Sequence, residues 1–230
     1  MANRPLQLSR AQSRFLNSTR EQKLFFGGRQ VGKTEVLVRD ALEHAVDGNT
    51  VALTAPTNQM NRIAFERLRE IASDVPYTGR VIEMLETEVV FVGGGRVRSE
   101  WVDRLTPGGR VMAEKGTLSE LDHLCVDEAD YVDHAQLDGL IDVCRNRLDI
   151  TVSLVGTPVP ENSIFPSLIQ MGRTAESWYV VRDHPRNVEF VDDETVDEIE
   201  RSLPPMSAVV EARGMFVQSL DDFCHYHPDE

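Results

Sequence analysis

Along most of the chain, apolar runs alternate with amphipathic stretches. Leu24, Phe25 and Phe26 form a short apolar run that ends in Gly27-Gly28. Val36, Leu37, Ala41 and Leu42 recur at helical spacing and predict a helix over 34–45. The run TVALTA predicts a strand over 50–55, stopped by Pro56, and a second helix follows over 58–71. Residues 88–92 read as a strand closed by Gly93-Gly94-Gly95, with 97–102 returning beside it as a hairpin. Further strands are expected at 121–126, 151–155 and 178–181, with a helix at 134–147. From about Val188 the chain reads as acidic and helical, broken by Pro204-Pro205. Several strands are apolar on both faces, as in a parallel sheet covered by helices. The expectation is an α/β fold, a mostly parallel sheet flanked by helices.

Composition narrows the class. Of 230 residues, 41% are hydrophobic and 27% charged, which suits a globular domain rather than a disordered tail. No apolar run approaches the roughly 20 residues of a membrane-spanning helix. The N-terminal MANRPLQLSR lacks the apolar stretch of a secretory signal. The three cysteines are too few and scattered for a disulfide frame and suit a reducing compartment.

Net charge is −14, unevenly spread. Residues 1–115 hold 17 basic against 14 acidic side chains, and residues 116–230 hold 7 against 24. The overall acidity argues against a general polyanion binder, and a nucleic-acid surface, if there is one, is expected in the first half. Only Lys23, Lys33 and Lys115 are lysines, and the other 21 basic residues are arginine. Many carboxylates with few lysines is the composition of haloarchaeal proteins in molar salt. A GC-rich genome is the other reading of the arginine bias, but it does not account for the acidity.

The strongest chemical signal is Gly27-Gly28-Arg29-Gln30-Val31-Gly32-Lys33-Thr34, a G-x-x-x-x-G-K-[ST] loop between a strand and a helix. Its glycines bring backbone N–H groups close to phosphate oxygens, and the following helix points its positive end at them. Lys33 reaches the β- and γ-phosphates, and Thr34 offers a hydroxyl to Mg²⁺. Asp127-Glu128 ends an apolar strand 94 residues after Lys33. There Asp127 suits the Mg²⁺ shell, and Glu128 suits a base that deprotonates an attacking water. The next strand ends in Gly156-Thr157-Pro158, which makes Thr157 a candidate γ-phosphate sensor.

With these motifs in this order, the chain resembles the ATPase domain of the viral large terminase, the motor that packages double-stranded DNA into procapsids. The likeness runs over about residues 5–223. Gln12 stands where that family places a Gln on adenine, and Arg29 matches a basic residue common in its P-loop. Thr54-Ala55-Pro56-Thr57 resembles the family's second-strand motif, SLVGTP its coupling motif, and Glu211-Ala212-Arg213-Gly214-Met215-Phe216 the segment leading out of the ATPase. The resemblance implies a P-loop fold of the catalytic-glutamate class, with one strand between the Walker B and P-loop strands. It implies catalytic roles for Glu128, Lys33 and Arg29, and nucleotide binding by Gln12 and by residues 27–34. Thr34 and Asp127 would hold Mg²⁺, and Thr157 would couple turnover to movement. ATP, Mg²⁺, duplex DNA, a portal on a procapsid, a small terminase subunit and a ring of usually five copies are the implied cofactors and partners. The isolated chain is then expected to be monomeric and slow. No membrane is involved, and the host cytoplasm during virion assembly is the implied place. A haloarchaeal tailed virus is the origin that composition and resemblance together suggest. The expected division is an ATPase core over 1–187 and a helical, lid-like appendage over 188–230, with no nuclease domain.

The resemblance leaves two matters open. Terminases often carry an Arg-Gly finger ahead of the acidic pair. Here the match is Lys115-Gly116, so Arg110 and Arg104 are further candidates for a finger on a neighbour's nucleotide. Arg96 and Arg98, near Trp101, are candidates for DNA contact, and a solvated hairpin is the alternative. The rival functions are another P-loop DNA translocase or helicase-like ATPase, and a nucleotide-gated DNA-binding assembly subunit with little turnover. His123, in the Asp127 strand, reads as a satisfied core histidine.

Overall fold

A computed structural model describes residues 8–100, 102, 117–147, 150–159, 163–174, 178–189 and 191–215. In chain order the elements are α1 (Arg10–Leu16), β1 (Gln22–Gly27), α2 (Lys33–Val46), β2 (Thr50–Thr54), α3 (Asn58–Ala72), β3 (Val81–Met84), β4 (Glu88–Phe91), β5 (Arg96–Ser99), β6 (His123–Val126), α4 (His134–Arg147), β7 (Thr151–Gly156), α5 (Phe165–Thr174), β8 (Trp178–Asp183) and α6 (Asp193–Ser202).

The strands form one eight-stranded sheet in the order β3-β4-β5-β2-β6-β7-β1-β8. From β5 to β8 every pairing is parallel, and β3 and β4 add an antiparallel edge. Successive side chains of a strand point to opposite faces. Phe25 therefore enters a core with Phe15 of α1, Val36 and Leu37 of α2 and Leu68 of α3. Leu24 and Phe26 enter a second core with Leu137 and Leu140 of α4 and Phe165 and Leu168 of α5. Burial on both faces explains why the central strands carry apolar residues that face both ways. Parallel pairing of β6, β7 and β1 brings their C-terminal ends together at one edge, where the motifs lie.

Three elements escape the periodicity. β3 is a short edge strand whose Ile82 and Glu83 are both exposed, so it carries no alternation. α5 has Pro166 in its first turn, where the missing N–H costs nothing. α1 is only 7 residues long and owes its start to a capping box, with Ser9 and Gln12 bonding each other's backbone N–H. The 88–92 and 97–102 hairpin forms with strands Glu88–Phe91 and Arg96–Ser99, turning through Gly93 and Gly94 at φ +102° and +92°.

A buried polar cluster interrupts the first core. Asp40 of α2 pairs with Lys23 and accepts from Ser153 Oγ at 2.6 Å, and lies 3.2 Å from His123 Nε2. His123 is fully buried and also meets Thr151 Oγ1 at 2.5 Å, so it is the satisfied core histidine expected. His44 stacks on it with ring centroids 3.8 Å apart. Burial first, and His123 second, push the His44 imidazole down to about 4, while Asp40 raises it and Lys23 lowers it further. An unfolded His44 binds a proton near pH 6.5, whereas the folded one resists until about 4. Its contribution is therefore complete above 6.5 and is lost as pH falls from 6.5 to 4. After allowance for partial exposure the loss is about 2 kcal/mol. Urea unfolding of wild type and His44→Phe between pH 4 and 7 should show the gap between them change by that amount. Taking the difference removes the carboxylates that titrate in the same window. A constant gap would mean that the ring titrates normally.

Candidate nucleotide site

The loop from Gly27 to Gly32 leaves β1 and enters α2 with Gln30 at φ +63° and Gly32 at φ +71°, both left-handed. Gly32 is the N-cap of α2 and has no side chain to satisfy the helix's first N–H groups. Those donors and the helix dipole face the cleft, the arrangement that binds phosphate. Lys33 is buried, and its Nζ donates to the Gly28 carbonyl at 2.8 Å. Burial lowers its pKa, partly opposed by Glu128 and Asp127.

Thr34 Oγ1 donates to Asp127 Oδ2 at 2.9 Å, joining the first turn of α2 to the end of β6. Asp127 Oδ1 accepts the Glu128 N–H at 3.1 Å. Burial, and then the charge of Glu128, push the Asp127 carboxyl up to about 6. A hydroxyl and a carboxylate held together in a buried cleft are the hard-oxygen donors that Mg²⁺ takes alongside phosphate, so these residues fit the ion. Glu128 sits at φ +46°, a strained conformation for a residue with a side chain, and its Oε2 accepts the Thr157 N–H at 3.1 Å. The structure thus brings Lys33, Thr34, Asp127, Glu128 and Thr157 to one place. Arg29, Gln30, Gly32, Lys33, Thr34, Glu128 and Thr157 border a cleft of about 390 Å³, a volume suited to a small ligand.

Other site residues are placed differently. Gln12 is buried. Its Oε1 accepts from the Ser9 N–H, and its Nε2 donates to the Val31 carbonyl at 2.8 Å. Its amide thus braces the back of the loop. Arg29 pairs with Glu211, and its N–H donates to the Glu211 carbonyl at 2.7 Å. A Cβ on Gly28 would collide with the Ala212 carbonyl, and one on Gly27 with the Asp183 carbonyl. These two glycines seat β8 and the 208–215 segment against the loop. Arg98 bonds Glu88 at 3.0 Å and Glu120 at 2.9 Å, and Arg96 lies 3.6 Å from Glu88. These carboxylates offset charge that a DNA phosphate would use. Arg104, Arg110 and Lys115, together with Trp101, lie outside the described residues.

Two contributors had no signal in the sequence. Asp130 is buried and accepts from the N–H groups of Val159 (2.7 Å) and Ile164 (2.9 Å) and from Ser163 Oγ (2.6 Å), pinning the chain after Thr157 to the Asp127 turn. Tyr131, half exposed, forms a wall of the cleft with Met60 of α3.

The sheet order, with β7 between β6 and β1, and the loop and acidic pair at one edge define a P-loop NTPase fold of the catalytic-glutamate class. No protein-family model and no curated protein matches the chain. Solved structures do. The large terminase ATPase domain of Thermus phage P74-26 matches with a TM-score of 0.71 at 18% identity, over 93% of this chain and 94% of that one. The large terminase of a thermophilic bacteriophage matches at 0.69 and 11%, over 92% of this chain and 54% of that one. The HK97 bacteriophage large terminase matches at 0.62 and 11%, over 96% and 46%. The terminase of the thermophilic bacteriophage is also known in complexes with ATP-γ-S and with ADP. At these identities the likeness establishes a shared fold, and the chain spans about half the length of the latter two terminases.

Proposed function

We propose that this chain is the ATPase motor of a large terminase, hydrolysing ATP to drive double-stranded DNA into a procapsid. The observation that carries the reading is the Thr34–Asp127 hydrogen bond at the P-loop with Glu128 beside it, on a sheet shared with terminase ATPase domains. In this reading the loop N–H groups hold the ATP phosphates, and Lys33 exchanges the Gly28 carbonyl for a phosphate oxygen. Thr34 and Asp127 hold Mg²⁺, which offsets phosphate charge when bound. Water attacks the γ-phosphorus, the bond to the β-phosphate oxygen breaks, and Glu128 receives the water's proton. The Thr157 N–H orients that carboxylate, so Thr157 registers its state. Arg29 adds positive charge at the γ-phosphate once Glu211 releases it.

The proposed partners are duplex DNA, a portal on a procapsid, a small terminase subunit and further copies of the chain in a ring, in the host cytoplasm. A ring neighbour would supply the finger. No helix among the described residues is long and apolar enough to cross a membrane.

The test is steady-state ATP hydrolysis with Mg²⁺, with and without duplex DNA, across KCl from dilute to molar. Salt belongs in the design because phosphate contacts weaken as it rises, while an acidic surface suits it. Turnover that duplex DNA stimulates is the expected result. Unwinding of a forked duplex would favour a helicase-like translocase. ATP binding without turnover at any salt would favour the nucleotide-gated assembly subunit.

A further inference from the structure

Asp40 lies six residues beyond Thr34 on α2, away from the cleft, yet its carboxylate gathers a partner from each of three strands. Lys23 comes from β1, His123 from β6 and Ser153 from β7. Four residues after each partner, the same strand delivers part of the nucleotide site. Gly27 opens the P-loop after Lys23, Asp127 follows His123, and Thr157 follows Ser153. All the partners are buried, as is Asp40 itself. Burial works against ionisation of this carboxyl, but the bonds and charges of His123 and Lys23 outweigh it and hold the carboxyl well below its ordinary range.

We propose that Asp40 and His123 are positioning residues for the cation half of the nucleotide site, fixing α2 against β6 so that Thr34 and Asp127 present their oxygens to one divalent ion. The inference rests on reading the cleft as a Mg²⁺–nucleotide site. Apolar contact between a helix and a sheet is non-directional, so a core alone tolerates small slides and rotations. The Thr34–Asp127 bond is one tie between α2 and β6, and Asp40–His123 is a second. The two ties lie about 9 Å apart along the helix and about 13 Å along the strand. One tie leaves the helix able to swing about it, and a second, separated tie restrains that swing. Lys23 balances the Asp40 charge, and Ser153 extends the tie to the strand that carries Thr157.

The same cluster has a second reading. Asp40, His123 and Cys125 place ligand atoms within 4.8 Å of one another, the makings of a metal site. Lys23 already neutralises Asp40, and burial pushes the Cys125 thiol well up, away from the thiolate that a metal needs. A metal would have to displace a buried ion pair, so the positioning role is favoured.

The test measures ATP-γ-S affinity by calorimetry with and without Mg²⁺ in wild type, His123→Phe and His123→Gln. His123→Phe keeps the Lys23–Asp40 pair and a ring for His44 to stack on but removes the donor to Asp40. His123→Gln restores an N–H near the Nε2 position. The Mg²⁺-dependent gain in affinity is expected to fall about tenfold or more in His123→Phe, the scale seen when partners of metal ligands are removed. Affinity without Mg²⁺ should change little, and His123→Gln should recover most of the gain. If His123→Phe fails to fold, the pair Lys23→Met with Asp40→Leu, which removes the charge pair and the acceptor for His123 together, carries the same comparison. An unchanged Mg²⁺ gain in a folded His123→Phe protein overturns the positioning role. Absence of any Mg²⁺ gain in wild type overturns the reading of the site beneath it.

Discussion

Glu128→Gln should lower kcat for ATP hydrolysis by about 10²–10⁴-fold, the range for loss of a positioned general base, while nucleotide affinity stays within about threefold of wild type, since the phosphate and Mg²⁺ contacts of this reading lie on other residues. Glutamine keeps a carbonyl oxygen for the Thr157 N–H, which Glu128 Oε2 now accepts at 3.1 Å, so the local hydrogen bonding survives. What disappears is the capacity to receive a proton from water. The left-handed backbone at Glu128 supports the assignment, because strain of about 1–3 kcal/mol is tolerated where the surrounding structure enforces it, and such residues cluster at functional sites. Single-turnover hydrolysis, with nucleotide binding measured in parallel, decides the matter. A loss of kcat below about threefold would place the base elsewhere and leave Glu128 as the partner that orients Thr157.

Gly28→Ala should destabilise the protein by about 2–3 kcal/mol, the upper part of the range for overpacking, and should loosen the segment around residues 208–215. The Cβ would meet the Ala212 carbonyl, and Gly214, at φ +61°, is packed in turn against the Gly27 and Gly28 backbone. Neither side can yield by a change of rotamer, because both are main chain. The Arg29–Glu211 pair and the bond from the Arg29 N–H to the Glu211 carbonyl hold the same segment down, so they should weaken with it. Thermal unfolding and limited proteolysis test this. Gly79→Ala serves as the control, since a Cβ there meets nothing within 4 Å. Equal melting temperatures and cleavage patterns in the two variants would mean that the segment is not seated on the loop glycines.

Most of the central elements were legible because their chemistry is local. β1, β2, β6 and β7 carry apolar residues on both faces, and α2, α3 and α4 show helical spacing. The P-loop and the Asp127-Glu128 pair are contiguous motifs whose flanks indicate a strand before and a helix after. What escaped has a physical cause in each case. β3 lacks alternation, with Val81 and Met84 resting on the core and Ile82 and Glu83 exposed between them. The cap of α1 depends on Gln12 and Ser9 bonding each other, and the Nε2 end of the same amide donates to the loop at Val31. Arg96 and Arg98 counted as free positive charge until pairing across β4 and β5 set Glu88 beside both. Asp130 is an ordinary acidic residue in the sequence, and its role exists only because the chain after Thr157 folds over it.

The sequence by itself determined the order of the central strands and helices, the loop able to bind phosphate, and the carboxylates able to serve a cation and a water, since all of these depend on neighbours a few residues apart. Beyond the β4–β5 hairpin and the one strand expected between β6 and β1, only the tertiary structure decided which strands lie side by side, that Asp40 ties three of them together beneath the cleft, and that the 208–215 segment rests on the loop glycines. Those contacts join residues from 17 to more than 180 positions apart. Burial and hydrogen-bond geometry in the folded chain select them, and no periodicity along the chain encodes them.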